Sequence, residues 1–126
     1  MSLLPRQDRL YLEGRGIAFR EVVEGAKKGV ILAGVTLPEG KFQVAKADIL
    51  ILLPQSYPDV APDMFYAAPH LKLVSGQREP RCTQARQALD GQSWQRWSRH
   101  NNQWRPGIDG IWTMVKRVEE ALEVAA

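Results

Sequence analysis

LPQSYPDVAPDMFY, Leu53 to Tyr66, is the stretch that decides how this chain is read. Pro54, Pro58 and Pro62 punctuate it. A proline ring fixes φ and removes a donor, so neither a helix nor a central strand runs through such a segment. On its N-terminal side stands KADILILLP (46–54), whose unbroken run Ile49, Leu50, Ile51, Leu52, Leu53 predicts a strand buried on both faces. On its C-terminal side PDMFYAA (62–68) predicts a second, shorter strand. The stretch is therefore a proline-rich turn between two strands.

Upstream, IAFREVVE (17–24) alternates apolar and polar residues, GAKKG (25–29) signals a turn, and VILAGVTLP (30–38) resumes with β-branched residues. Together they predict a hairpin, which makes the strands flanking the proline turn the third and fourth. PRQDRLYLEG (5–14) carries Leu10 and Leu12 behind Pro5 and stops at Gly14 and Gly16, the pattern of a short helix ended by glycine. At the far end Ile111, Met114, Val115, Val118 and Leu122 recur at helical spacing. Lys116, Arg117, Glu119, Glu120 and Glu123 take the other face of that helix, and Asp109 stands where a carboxylate can cap it.

Residues 69–106 are polar, hold Gly76, Pro80 and Gly91, and show no sustained period. Within them TQARQAL (83–89) is read as one or two helical turns. The expected fold is α+β: an N-terminal helix, a four-stranded antiparallel meander, a long irregular segment and a C-terminal helix, in one domain over 1–126. A structureless segment of that length in a compact domain is usually functional or disordered.

Composition narrows the class. At 126 residues, 44% hydrophobic and 25% charged, the chain has the balance of a soluble domain large enough to need neither disulfide nor metal. No apolar run approaches a membrane span, and charge interrupts the N-terminus where a signal peptide would be apolar. Cys82 is the single cysteine, which suits a reducing, cytoplasmic setting. One cysteine and two histidines, His70 and His100, make no closed zinc site, and no metal or cofactor motif is present. A net charge of +3 is too small to mark a nucleic-acid stripe.

The order of elements and certain residues within it resemble the ubiquitin-conjugating (UBC) superfamily. In LPQSYPDVAPDMFY, Tyr57–Pro58 and Pro62 take the places of that family's LP-x-x-YP-x-x-P-P segment, with Ala61 replacing the first proline of the final pair. WRPGIDGIWTMVKRV (104–118) is similar to the family's tryptophan-and-proline entry into the helix after the active-site segment. APDMFY followed by WQRWSRH and WRPGIDG resembles more narrowly a prokaryotic UBC-like subgroup, lettered E. The resemblance implies a transferase that accepts a ubiquitin-like modifier from an activating-enzyme homologue and passes it to a target. A deubiquitinase-like peptidase would act in the same pathway. Tyr57, Pro58, Pro62 and Trp104 are its structural signature.

That chemistry needs an exposed, partly ionised cysteine and a group to stabilise an oxyanion. The familiar enzymes place a His-Pro-Asn motif after the fourth strand, with the cysteine about ten residues on. Here Pro69–His70–Leu71 stands at that place without the Pro-Asn, and Cys82 follows 82 − 70 = 12 residues later. Arg78, Arg81 and Arg86 surround Cys82 in sequence, and nearby cations favour a thiolate. Ser98, Arg99 and His100 precede Trp104: His100 is a candidate base, Arg99 a partner for an oxyanion or a carboxyl tail, Ser98 a further catalytic candidate. His70 and Asp109 are accessory candidates, Asp109 to orient His100 or to cap the last helix. Two other readings stand beside this one. The first is an inactive UBC-fold adaptor that binds modifier or activating enzyme. The second is a small nucleic-acid module in which Trp94, Trp97 and Trp104 stack on bases.

Overall fold

The computed structural model describes residues 3–99 and 103–126. Helix α1 (Arg6–Gly14) opens the chain, followed by strands β1 (Phe19–Glu24), β2 (Lys27–Thr36), β3 (Lys46–Leu52), β4 (Phe65–Ala68), β5 (Arg86–Leu89) and β6 (Gln92–Trp97). Helix α2 (Ile111–Val124) closes it. The fold is α+β with an antiparallel sheet, as expected. Helix α1 ends as its glycines foretell. Gly16 sits at φ 68, its N–H bonds to the Glu13 carbonyl at 3.0 Å, and the Ile17 N–H reaches back to Leu12 at 2.9 Å.

The sheet order is β1-β2-β3-β4-β6-β5 and every pairing is antiparallel. The expectation of four strands followed by an irregular segment is corrected here: the sheet has six. TQARQAL, read as helical, contains strand β5 instead. The physical reason is the dipeptide after it. Asp90 and Gly91 both take positive φ, 54° and 72°, which is the two-residue turn that matches strand twist. That turn folds β6 back on β5, pairing Leu89 with Gln92 and Arg86 with Gln95. Strand β6 then zips onto β4, Phe65 opposite Trp97.

The sheet buries both faces, which explains the continuous apolar run of β3. Ile49 and Ile51 join the main core with Val30, Phe65 and Trp97, against Leu12 of α1 and Ile111, Val115 and Val118 of α2. Leu50 points the other way, into a smaller cluster with Ile31, Tyr66, Leu89 and Trp94. Each such buried aliphatic side chain contributes about 1.5–3 kcal/mol. Gly29 in β2 carries no side chain because a Cβ there would lie 3.0 Å from the Ile51 carbonyl oxygen and 2.9 Å from a Leu50 methyl carbon. Among the described residues, no helix is long and apolar enough to cross a membrane.

Candidate active site

The segment leaving β4 is irregular but tightly held. Gln95, on the core side of β6 and fully buried, binds it like a rung: its Oε1 accepts the N–H of Leu71 at 2.9 Å and its Nε2 donates to the Leu71 carbonyl at 3.0 Å. The same Oε1 accepts the Trp97 indole N–H at 2.9 Å, and Nε2 also reaches Glu79 at 3.0 Å. Burial alone would raise the Glu79 pKa, but hydrogen bonds from Gln95 and Arg86 hold its carboxyl below the usual range. The chain then turns through Ser75–Gln77, with Gly76 at φ 78, and comes to Pro80.

Here it presents Cys82. The Thr83 side chain, fully buried, donates its hydroxyl to the Pro80 carbonyl at 2.5 Å and closes a tight turn around Arg81 and Cys82. Cys82 is exposed at the turn's apex, in the left-handed backbone region with φ 58. Such a conformation costs a residue with a Cβ about 1–2 kcal/mol. The turn is tied on both sides. The Arg81 N–H donates to the Ala126 carbonyl at 3.0 Å, and the Cys82 carbonyl accepts the Ser98 N–H at 3.2 Å.

That last bond brings the predicted residues together. Cys82, Ser98 and Arg99 line one cavity of about 310 Å³, completed by Arg81, Val124, Ala125 and Ala126. The Arg99 guanidinium lies 5.0 Å over the Trp97 ring and donates through Nη1 to the carbonyls of Arg81 and Ser98, each at 3.2 Å. It is thereby fixed at the cavity's edge. His100, the candidate base, lies outside the described residues.

The other candidates are elsewhere. The His70 ring does not line the Cys82 cavity. Its Nε2 sits 2.9 Å from the Ser93 carbonyl and 3.3 Å from the Ser93 hydroxyl, on β6. Arg78 and Arg86, neighbours of Cys82 in sequence, also stay out of the cavity: Arg86 grips Glu79 with two 2.8 Å contacts, and Arg78 donates to the Glu79 carbonyl. The basic residues that share the cavity with Cys82 are Arg81 and Arg99.

Asp109 is buried at the start of α2. Its carboxylate accepts the Arg105 guanidinium at 2.9 Å, the Arg105 backbone N–H at 2.8 Å and the Thr113 hydroxyl at 3.0 Å. Those hydrogen bonds, Arg105 foremost, lower its pKa to about 2. It braces the first turn of α2, while the N-terminal residue of the helix itself is capped by Asp8: Oδ1 accepts the Ile111 N–H at 3.2 Å. The signature residues knit this corner. The Tyr57 hydroxyl donates to Asp8, its ring lies 6.3 Å from that of Trp104, and the Trp104 N–H donates to the Pro58 carbonyl at 2.8 Å. Burial first, then the hydrogen bond to Asp8, pushes the Tyr57 phenol far above its ordinary value. Pro62 is buried beside this turn's exit into β4.

Sequence reasoning missed Asp8, Thr83 and Gln95, all polar and all buried. The spacing of Thr83 behind Pro80 was the one local signal available. Trp94 and Trp97 are fully buried, on opposite sides of β6, so neither ring is available to stack on a base.

The description Prokaryotic E2 family E belongs to a family model that matches residues 4–125. The chain belongs to that family. No curated protein and no solved structure matches it. Membership in a prokaryotic E2 family carries a ubiquitin-conjugation-related function, with interaction of a general kind with modifier and activating enzyme. The family match takes in Cys82, Ser98 and Arg99, the proline turn and the Trp104 corner alike.

Proposed function

We propose that this chain has the ubiquitin-conjugating-enzyme fold and is a transferase with Cys82 as its nucleophile. The observation that carries the reading is the shared cavity: Cys82 is exposed on a tied turn, and Ser98 and Arg99, separated from it by a whole hairpin, line the same space. In the first step the Cys82 thiolate attacks the thioester carbonyl of a modifier carried by an activating enzyme, and the activating enzyme's thiolate leaves. In the second an amine attacks the new thioester. The C–N bond forms, the Cys82 thiolate departs, and the amine loses a proton to a base, the role assigned to His100. Arg99, or the Ser98 hydroxyl, stabilises the oxyanion of each tetrahedral intermediate.

The test combines the chain with an activating enzyme of the same pathway, ATP and modifier, followed by non-reducing electrophoresis. A covalent adduct that is lost with thiol reductant and in Cys82→Ser is expected. An adduct that resists thiol but yields to base moves the nucleophile to a hydroxyl. No adduct, with measurable affinity for modifier or activating enzyme, assigns the chain as an adaptor and ends the transferase reading.

A further inference from the structure

The walls of the Cys82 cavity differ sharply in charge. Arg81 and Arg99 line the space together with Cys82, and among the described residues no side-chain carboxylate lines it. The remaining lining is Ser98, the apolar Val124 and Ala125, and Ala126, whose backbone carboxyl group accepts the Arg81 N–H. Acids near in sequence are spent elsewhere: both Glu79 oxygens are held by Arg86. Among the described residues, Arg99 donates through Nη1 to two backbone carbonyls. The Arg81 side chain is exposed and has no hydrogen-bonding or ionic partner among the described residues. So one cation is fixed at the edge of the cavity, and a second, without a partner among the described residues, lines it with the cysteine.

We infer that Arg81, with Arg99 behind it, is a specificity determinant that selects an acidic tail: a modifier carrying an Asp or Glu side chain within a few residues of its reacting carbonyl. This rests on the transferase reading for its biological sense, but the charge preference is a property of the cavity. The reacting carboxyl of a charged modifier is already a neutral thioester, so it offers these guanidiniums no charge. A second carboxylate on the tail does. An Arg–carboxylate pair forms two parallel N–H···O bonds and orients the tail as well as attracting it. A basic tail would meet two like charges.

The first arm of the test needs no pathway partner. Cys82 is modified with two small thiosulfonate reagents of equal size, one ending in a sulfonate and one in a trimethylammonium, and the rates are compared. The anionic reagent is expected to react about 3- to 10-fold faster relative to the ratio for free cysteine, the size that one or two unit charges sharing a wet surface cavity with the thiol would give. The excess should shrink in Arg81→Met, persist in Arg81→Lys, and fade at molar salt. The second arm uses peptide thioesters that differ only by Asp or Lys two residues before the carbonyl; Cys82 should be acylated faster by the Asp peptide, and that preference should be lost in Arg81→Met. Equal rates for the two reagents, or a preference that Arg81→Met leaves unchanged, overturns the inference. Absence of any enzymatic adduct would overturn the transferase reading and leave the reagent ratio readable, so the two failures are distinct.

Discussion

Asp8 of helix α1 accepts the backbone N–H of Ile111 at 3.2 Å, so the first helix of the chain caps the last one across 103 positions of sequence. Its other oxygen takes the Tyr57 hydroxyl. One buried carboxylate thus joins the two helices to the proline turn, and it leaves room for nothing else: a Cβ on Gly110 would stand 2.7 Å from Asp8 Oδ1.

Asp8→Ala should therefore lose about 2–3 kcal/mol, since it strips a helix cap and removes the partner of the half-buried Tyr57 hydroxyl. Gly110→Ala should cost about 1–3 kcal/mol by overpacking. In the double variant the Gly110→Ala cost should largely vanish, because the clashing oxygen is gone. Urea denaturation of the four proteins measures the coupling. Strict additivity would show that the contact carries no energy.

Trp104 is half-buried, so its truncation costs less than for a fully enclosed indole. Trp104→Ala should destabilise by about 2 kcal/mol, against the 3–5 expected of complete burial. Trp104→Phe should recover the packing on Tyr57 but not the hydrogen bond to Pro58. Thermal melts followed by circular dichroism decide it.

Gln95 makes hydrogen bonds with every polar atom of its amide while wholly buried. Gln95→Leu keeps the volume but leaves the Leu71 N–H and carbonyl without partners. A loss of about 3 kcal/mol is expected, with faster amide exchange at Leu71 as the local readout.

Cys82→Gly should raise stability by about 1 kcal/mol, because glycine adopts a positive φ without steric cost. A cysteine kept at such a position, on the surface, spends stability for its thiol. A melt showing Cys82→Gly less stable than the parent would remove that argument for function.

The Asp109 carboxyl has its pKa lowered from 3.8 to about 2, chiefly by hydrogen bonds from Arg105. Its folded value is depressed, so its contribution to stability is complete above the unfolded value and disappears as pH falls through the folded one. Melting temperature should thus decline between about pH 4 and pH 2, and Asp109→Asn should remove that part of the decline. Carbon-13 spectra of the Asp109 carboxyl, titrated over the same range, should give a midpoint near 2.

The sequence by itself determined both helices, four of the strands and the proline turn between β3 and β4. Each of these is announced locally, by a hydrophobic period, a glycine stop or a proline that no regular element tolerates. It also singled out Cys82, and, through the family resemblance, Ser98 and Arg99. It did not determine that they meet. The signal for β5 and β6 was present in Asp90–Gly91, but β6 buries Trp94 on one face and Gln95 and Trp97 on the other, so no apolar alternation marks it, and its strand character comes from pairing with β4 on one side and β5 on the other. The buried polar side chains Asp8, Thr83 and Gln95 were equally silent, because a carboxylate, hydroxyl or amide reads as solvated until its partner is known. Only the tertiary structure, by laying β6 beside β4, carried Ser98 to Cys82, turned His70 toward Ser93, and left Arg81 beside the thiol. A chain's pattern records which faces avoid water, whereas distances between its polar groups exist only after those faces have packed.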